Sequence, residues 1–402
     1  VELAKLNLSI AKLSIEKYSA FDRANDFVVA GLSLFPSDEL WTLNYPLALE
    51  LNTIGAQCSV VGAIPDAFVD QVALNAKSLQ DKIPVYKILM SYYRWENKAE
   101  EAVNVGMDML KLLGEKLPRN PGKAHVAWEF LMAKNAVRKK TDGEIVTMPK
   151  ARNWRDVAVL VALREISSSA YFTQPDLMMV TVMRALRLTM KHGFYAEVTP
   201  VSLGTYGLLN MHLGNHEEGL RFLKLGLTLM DREDSRYIKA MNYTNIYGLG
   251  LHYWQPIEDM YQPLLDTYIS GIRYGDTGYA MIAAHMSCII KLMIGAPLGE
   301  VEKLLHRYVG LTKAYNRTGV FTLTCSFHQL VLNLMDRSNN ATILTGTAMN
   351  QAELEVSGNE VAMVLLVANI FQGCCTFEKW EVAHKCSGFQ PLLRLKTSQE
   401  CL

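Results

Sequence analysis

The sequence predicts an all-α chain folded as a continuous solenoid of antiparallel helix pairs, and three observations lead there. Apolar residues recur at intervals of three and four, as in Leu220, Leu223, Leu227 and Met230. That is the helical period, whereas the alternation of half-buried strands is nearly absent. Half of the residues are hydrophobic, 20% are charged, and the 13 prolines are sparse and scattered, the profile of a well-buried helical chain. At 402 residues the chain exceeds the roughly 250 to 300 that one core usually supports, so it must be several domains or an extended array.

Taken in order, VELAKLNLSIAKL opens with an amphipathic helix and AFDRANDFVVAGLSLF (20–35) supplies a second before the breaker FPSDE. LWTLNYPLALEL (40–51) follows; AIP and then SLQDKIP are expected to interrupt the chain, and AEEAVNVGMDMLKLL (99–113) is the next strong helix. These stretches run about 12 to 20 residues, ordinary lengths for packed helices. Residues 1–137 form a first helical block. The basic stretch RKKTDGEIVTMPKARNWR (138–155) holds Gly143 and Pro149 and lacks the helical period, so it reads as a surface loop. A second block, 156–402, continues the same solenoid, with LGN and YGD as breakers and DRSNNATILTG (336–346) as an irregular connection before the last helices.

Five helices end on a similar note, at 20–35, 99–113, 217–230, 261–276 and 302–315. Their glycines Gly31, Gly106, Gly226, Gly271 and Gly310 are 75, 120, 45 and 39 residues apart, close to two, three, one and one units of about 40. A hairpin of that size cannot bury its apolar face alone, so neighbours must stack. The stretch LGNHEEGLRFLKLGLTL (213–229) fits a tetratricopeptide-type (TPR-like) pattern. Leu203, Tyr206 and Gly207 stand at the contact positions of a first helix, Gly214-Asn215 at the turn, and Gly219, Leu223 and Gly226 at small, large and small positions of the second. A glycine inside a helix costs about 1 kcal/mol relative to alanine. Their expected role is close approach of a paired helix.

Forty basic residues balance forty acidic ones, which argues against nucleic acid or an anionic membrane as the partner. Seven cysteines (Cys58, Cys288, Cys325, Cys374, Cys375, Cys386, Cys401) form no closely spaced framework and read as reduced, buried thiols of a cytoplasmic protein. The longest uncharged apolar run, VAMVLLVANIF (361–371), is shorter than the roughly 20 residues that span a bilayer. No signal peptide is visible at the start. A start at Val1 and an end at QECL suggest a segment of a longer protein.

Candidate chemistry is thin. Gly114 to Ala124 (GEKLPRNPGKA) has seven residues between Gly114 and Gly122 and Ala124 in place of the hydroxyl, so it does not make a phosphate loop. His212 and His216 are four apart but straddle the Gly214-Asn215 turn. Cys374, Cys375, His384 and Cys386 do not match zinc-site spacing. The cluster His252, Tyr253, Trp254 is a candidate recognition patch, since Trp and Tyr are enriched at interface hot spots, plugging a helix end being the plainer role; the basic stretch with Trp154 is a candidate contact for a phosphate or an acidic partner surface, a solvated loop being the plainer role. No catalytic set, metal site or cofactor site emerges from spacing. A divergent helical enzyme or a degenerate nucleotide-binding module remains the alternative.

The run LVALREISS (160–168) followed by AYFTQPDLMMVTVMRALRLTMKHGFYAEVTPVSLGTYGLL (170–209) resembles the helical-repeat region of very large predicted-ATPase signalling proteins. GNHEEGLRFLKLGLTLMDRE, HYWQPIED and SGIRYGDTGYA continue in that family's order, and Met148-Pro149 resembles its Met-containing loop. The resemblance covers most of residues 1–300. It implies a non-catalytic TPR-like scaffold, lying between a Ser/Thr kinase-like domain and AAA or STAND-type ATPase on one side and sensor, histidine kinase or nucleotide cyclase domains on the other. The implied partners are another protein or those neighbouring domains of the same chain. The family's catalytic residues belong to segments outside this sequence.

Overall fold

The computed structural model describes residues 1–356 except 19, 37–38, 61–64, 97, 172, 231 and 233–238. Among the described residues all regular structure is helical, nineteen α-helices and two 3-10 turns, with two isolated β-bridges and no strand. None of these helices is long and apolar enough to cross a membrane.

Helices α1 (Glu2–Tyr18) and α2 (Phe21–Leu32) pack as a pair, and the short α3 (Glu39–Leu43) leads into α4 (Tyr45–Ser59) and α5 (Asp66–Asn75). The Asn44 side chain caps α4 by accepting from Leu47 N at 3.2 Å, meeting one of the first-turn amides that have no partner within the helix. The stretch SLQDKIP, expected to interrupt the chain, instead starts α6 (Leu79–Trp95). Ser78 Oγ accepts from Asp81 N at 3.2 Å, and Pro84 lies inside the helix. Proline there forfeits the hydrogen bond to the Gln80 carbonyl, and Gln80 is exposed.

Helix α7 (Ala99–Leu112) packs against α6, and α8 (Lys123–Arg138) follows. The 138–155 stretch is more structured than a plain surface loop. Thr141 and Glu144 form a reciprocal capping box for the five-residue α9 (Asp142–Val146), and Ile145 and Met148 are buried. Phe194 N donates to Pro149 O at 2.7 Å and Ala151 N to Phe194 O at 2.8 Å. Burial of its two apolar side chains and this backbone pairing pin the segment, while its basic residues Arg138, Lys139, Lys150, Arg152 and Arg155 stay exposed.

Helix α10 (Trp154–Ala170) is the central element: twelve of its seventeen residues are buried, as expected of a helix surrounded on all sides. It packs on α6, α7 and α11 (Pro175–His192). Then come α12 (Thr199–His212) and α13 (His216–Met230), which make the most extensive pairing among the described helices. A Cβ on Gly207 would lie 2.8 Å from Gly219 O and 2.9 Å from Leu223 N, and one on Gly219 would lie 2.9 Å from Gly207 O. The two backbones therefore touch where a side chain would hold them apart. A Cβ on Gly226 would lie 3.1 Å from Pro200 O, and Gly214 takes a φ of +80° in the turn.

After α14 (Lys239–Leu249) and the 3-10 turns Leu251–Tyr253 and Ile257–Met260, α15 (Tyr261–Tyr274) ends on Gly275 at φ +80°. Asp276 then caps α16 (Thr277–Met293), accepting from Tyr279 N. Helices α17 (Leu298–Ala314) and α18 (Thr318–Leu334) form a hairpin, and the irregular 336–346 connection leads to α19 (Gln351–Val356). Asn333 Nδ2 holds that connection by donating to Ala341 O at 3.1 Å and Ile343 O at 2.9 Å.

The apolar interior is a succession of clusters, each shared by neighbouring helices: one spans α1–α6, the largest spans α6–α13, and others span α12–α16 and α16–α19. Around Gly31, Gly106 and Gly271 a Cβ would meet Asn7 Cβ at 3.3 Å, Met90 Cε at 2.5 Å and Ala280 Cβ at 2.7 Å. Gly310 differs. A Cβ there meets nothing within 4 Å, so close approach does not account for that marker glycine. The chain also turns back on itself, with α18 reaching α6 and Trp95 at the end of α6 lying on Gly278 and edge-on to Tyr279 (5.4 Å between ring centroids).

Candidate functional site

Where the two halves of the chain meet, the interior is charged. Inside α10, Arg164 and Glu165 interrupt the apolar run that ends at Ile166, and they are 8% and 1% exposed. Each oxygen of Glu165 is taken by one guanidinium, Oε2 by Arg94 from the last turn of α6 and Oε1 by Arg164. Arg164 Nη2 also lies 3.5 Å from Glu197 Oε2, and Lys87, two turns before Arg94, pairs with the same carboxylate. Beyond them, Arg317, which precedes α18 and is buried, donates Nε and Nη2 to Thr277 Oγ1 at 2.9 and 2.7 Å. The Arg94 guanidinium stands 5.0 Å from the ring of Trp95.

Burial alone would raise the Glu165 carboxyl, but Arg164, Arg94 and Lys87 outweigh it and hold it down at about 2. Glu197 is lowered for the same reason, burial being overcome by Lys87 and Arg164. Asp276 goes the other way: burial raises it, and the Tyr279 amide and the surrounding arginines offset only part of that. Burial pushes Arg317 down to about 10, with Asp276 and Glu96 opposing. The Nε atoms of Arg94 and Arg164 are buried with no hydrogen-bond partner among the described residues.

A carboxylate held ionised to about 2 makes a poor general acid or base near neutral pH. What the cluster does is mechanical: ion pairs tie α6 to α10 and both to Glu197 ahead of α12, while Arg317 ties the start of α18 to the start of α16 through the Thr277 hydroxyl. Such pairing adds little net stability, yet breaking it is expensive because the remaining charge stays buried.

The residues singled out in the sequence sit elsewhere. Trp154 heads α10, half-buried against the largest cluster, with Arg155 5.2 Å from its ring. His252 is exposed and Trp254 is 45% exposed, beside the 3-10 turn after α14. His212 and His216 are exposed at either end of the α12–α13 turn, with His212 Nδ1 2.7 Å from Leu208 O. Gly114 to Ala124 connects helix to helix, with Gly122 preceding α8. Cys58, Cys288 and Cys325 are free and buried, and burial pushes their thiols up to about 12, about 12 and about 11. Cys374, Cys375, His384, Cys386 and Cys401 lie outside the described residues.

Two groups escaped the sequence reading. The charged centre had one signal, the Arg164-Glu165 pair inside an apolar run. The other is a trio, Glu302 and His306 on α17 with His328 on α18, whose ligand atoms all lie within 4.8 Å of one another; its signal was the four-residue spacing of Glu302 and His306. Comparisons of the chain with protein-family models, with curated proteins and with solved structures find no match.

Proposed function

We propose that the chain is a TPR-like α-solenoid acting as a non-catalytic scaffold for protein–protein or interdomain contact, the regulatory segment of a cytoplasmic ATPase or kinase signalling protein. The observation that carries the reading is the α12–α13 hairpin, where Gly207 and Gly219 bring two helix backbones into contact inside a series of pairs whose cores are shared with their neighbours. Stacked pairs of this kind present an extended concave surface to a peptide or a neighbouring domain, and small rotations between pairs relay its position. The charged centre supports the relay, because Arg94, Glu165 and Arg164 lock α6 to α10, and Trp95, next to Arg94, rests on Gly278 and Tyr279 at the start of α16. Exposed His252 and Trp254, and Trp154 beside the basic 138–155 segment, are the contact residues of this reading, and a balanced formal charge favours a protein partner over nucleic acid or membrane.

The coding sequence on both sides of the segment tests the role. A Walker A and B pair upstream, with sensor and kinase or cyclase motifs downstream, supports the coupling scaffold. Stop codons close by on both sides overturn it.

A further inference from the structure

We propose that Glu302, His306 and His328 form a divalent transition-metal site, of the zinc class, that bridges α17 and α18. Glu302 and His306 are one helical turn apart and so share a face of α17, and His328 meets that face from the partner helix of the hairpin. His328 Nε2 lies 3.3 Å from Glu302 Oε1, and the two imidazole rings are 6.0 Å apart at 73°. Four-coordinate zinc binds nitrogen and oxygen at about 2.0 to 2.2 Å, which places neighbouring ligands of a tetrahedron about 3.3 Å apart. The Glu302–His328 edge already has that length, and the third ligand atom is within 4.8 Å of both, a gap that a side-chain rotation of exposed His306 closes.

The donor set selects the ion. Two imidazoles and one carboxylate suit zinc, cobalt or nickel, whereas calcium and magnesium take oxygen ligands throughout. Burial is graded across the trio: His328 is buried, Glu302 is half-buried and His306 is exposed, so the site has a fixed inner wall and an open outer side. Three protein ligands leave the fourth position to water. A hydrogen bond to Glu302 would by itself satisfy His328. The third ligand, an exposed histidine one turn along, turns that pair into a site. The inference does not depend on the scaffold reading.

The test is calorimetric titration of Zn2+ into the full chain after chelator treatment, together with the visible spectrum of the Co2+-loaded protein. The proposal expects one zinc bound per chain at this site, with a cobalt spectrum of tetrahedral nitrogen and oxygen ligation. His306→Ala, which removes an exposed side chain, should weaken Zn2+ binding about tenfold or more while leaving the metal-free melting temperature unchanged, and Glu302→Gln should weaken it similarly. Unaltered Zn2+ affinity in His306→Ala would overturn the proposal. So would a cobalt spectrum showing only thiolate ligation, which would put the metal on cysteines, or no binding at about 100 µM Zn2+.

Discussion

Replacing Glu165 with Gln tests the charged centre most sharply. The side chain is 1% exposed and holds one guanidinium with each oxygen, so the amide keeps its volume but leaves Arg94 and Arg164 buried with only Glu197 near Arg164. Removing one partner of a buried pair costs about 3 to 5 kcal/mol. The carboxyl gives a second route to the magnitude. Its value falls from an ordinary 4.5 to about 2 in the folded chain, and at about 1.4 kcal/mol per pH unit that is about 3 kcal/mol of stability. Because the folded value is depressed, this contribution is fully present above about 4.5 and is lost as the pH falls toward about 2. Urea unfolding followed by circular dichroism should therefore show Glu165→Gln about 3 kcal/mol less stable than wild type at pH 7, with the gap narrowing from pH 5 to pH 3. A variant within about 1 kcal/mol of wild type at pH 7, or a gap that widens in acid, would refute the account of the centre.

Gly219→Leu should overpack the α12–α13 pair, since a Cβ there already lies 2.7 Å from Met211 Cγ, and lower stability by about 1 to 3 kcal/mol. Gly310→Ala should instead raise it by up to about 1 kcal/mol, the space being open and alanine the better helix former; thermal melts of both variants check the contrast. Trp95→Ala should cost about 2 kcal/mol, below the roughly 3 to 5 of a fully buried aromatic, and hydrogen exchange should quicken in the first turn of α16, where Gly278 and Tyr279 lose their cover. Alkylation mapped by mass spectrometry at pH 8 should spare Cys58, Cys288 and Cys325 in the native protein and label them in urea, because burial holds them protonated at about 12, about 12 and about 11.

What was legible in the sequence was local. Gly275 and Asp276 end one helix and cap the next as the YGD breaker suggests, and Gly214 makes the turn between α12 and α13. SLQDKIP misled because a proline in the second turn of a helix sacrifices a single hydrogen bond, while Val85 and Met90 on the same helix are fully buried and hold it in place. Gly310 shares its sequence context with the other marker glycines, and only the packed helices show that nothing approaches it. The charged centre draws on positions 87, 94, 164, 165, 197, 276 and 317, which no spacing rule links. Positions 87, 94, 164, 165 and 197 meet when α6 packs on α10, and 276 and 317 join them only when α16 and α18 return to α6. The trio on α17 and α18 was half legible: Glu302 and His306 are four apart, but nothing in the sequence ties His328, 22 residues beyond His306, to the same face.

Crosslinking mass spectrometry of the full-length gene product, with and without nucleotide, tests the scaffold role most directly. The account predicts crosslinks from this array to a neighbouring ATPase or kinase domain whose pattern changes with nucleotide state. An array that gains no crosslink outside itself, or whose crosslinks are the same in both states, would contradict it.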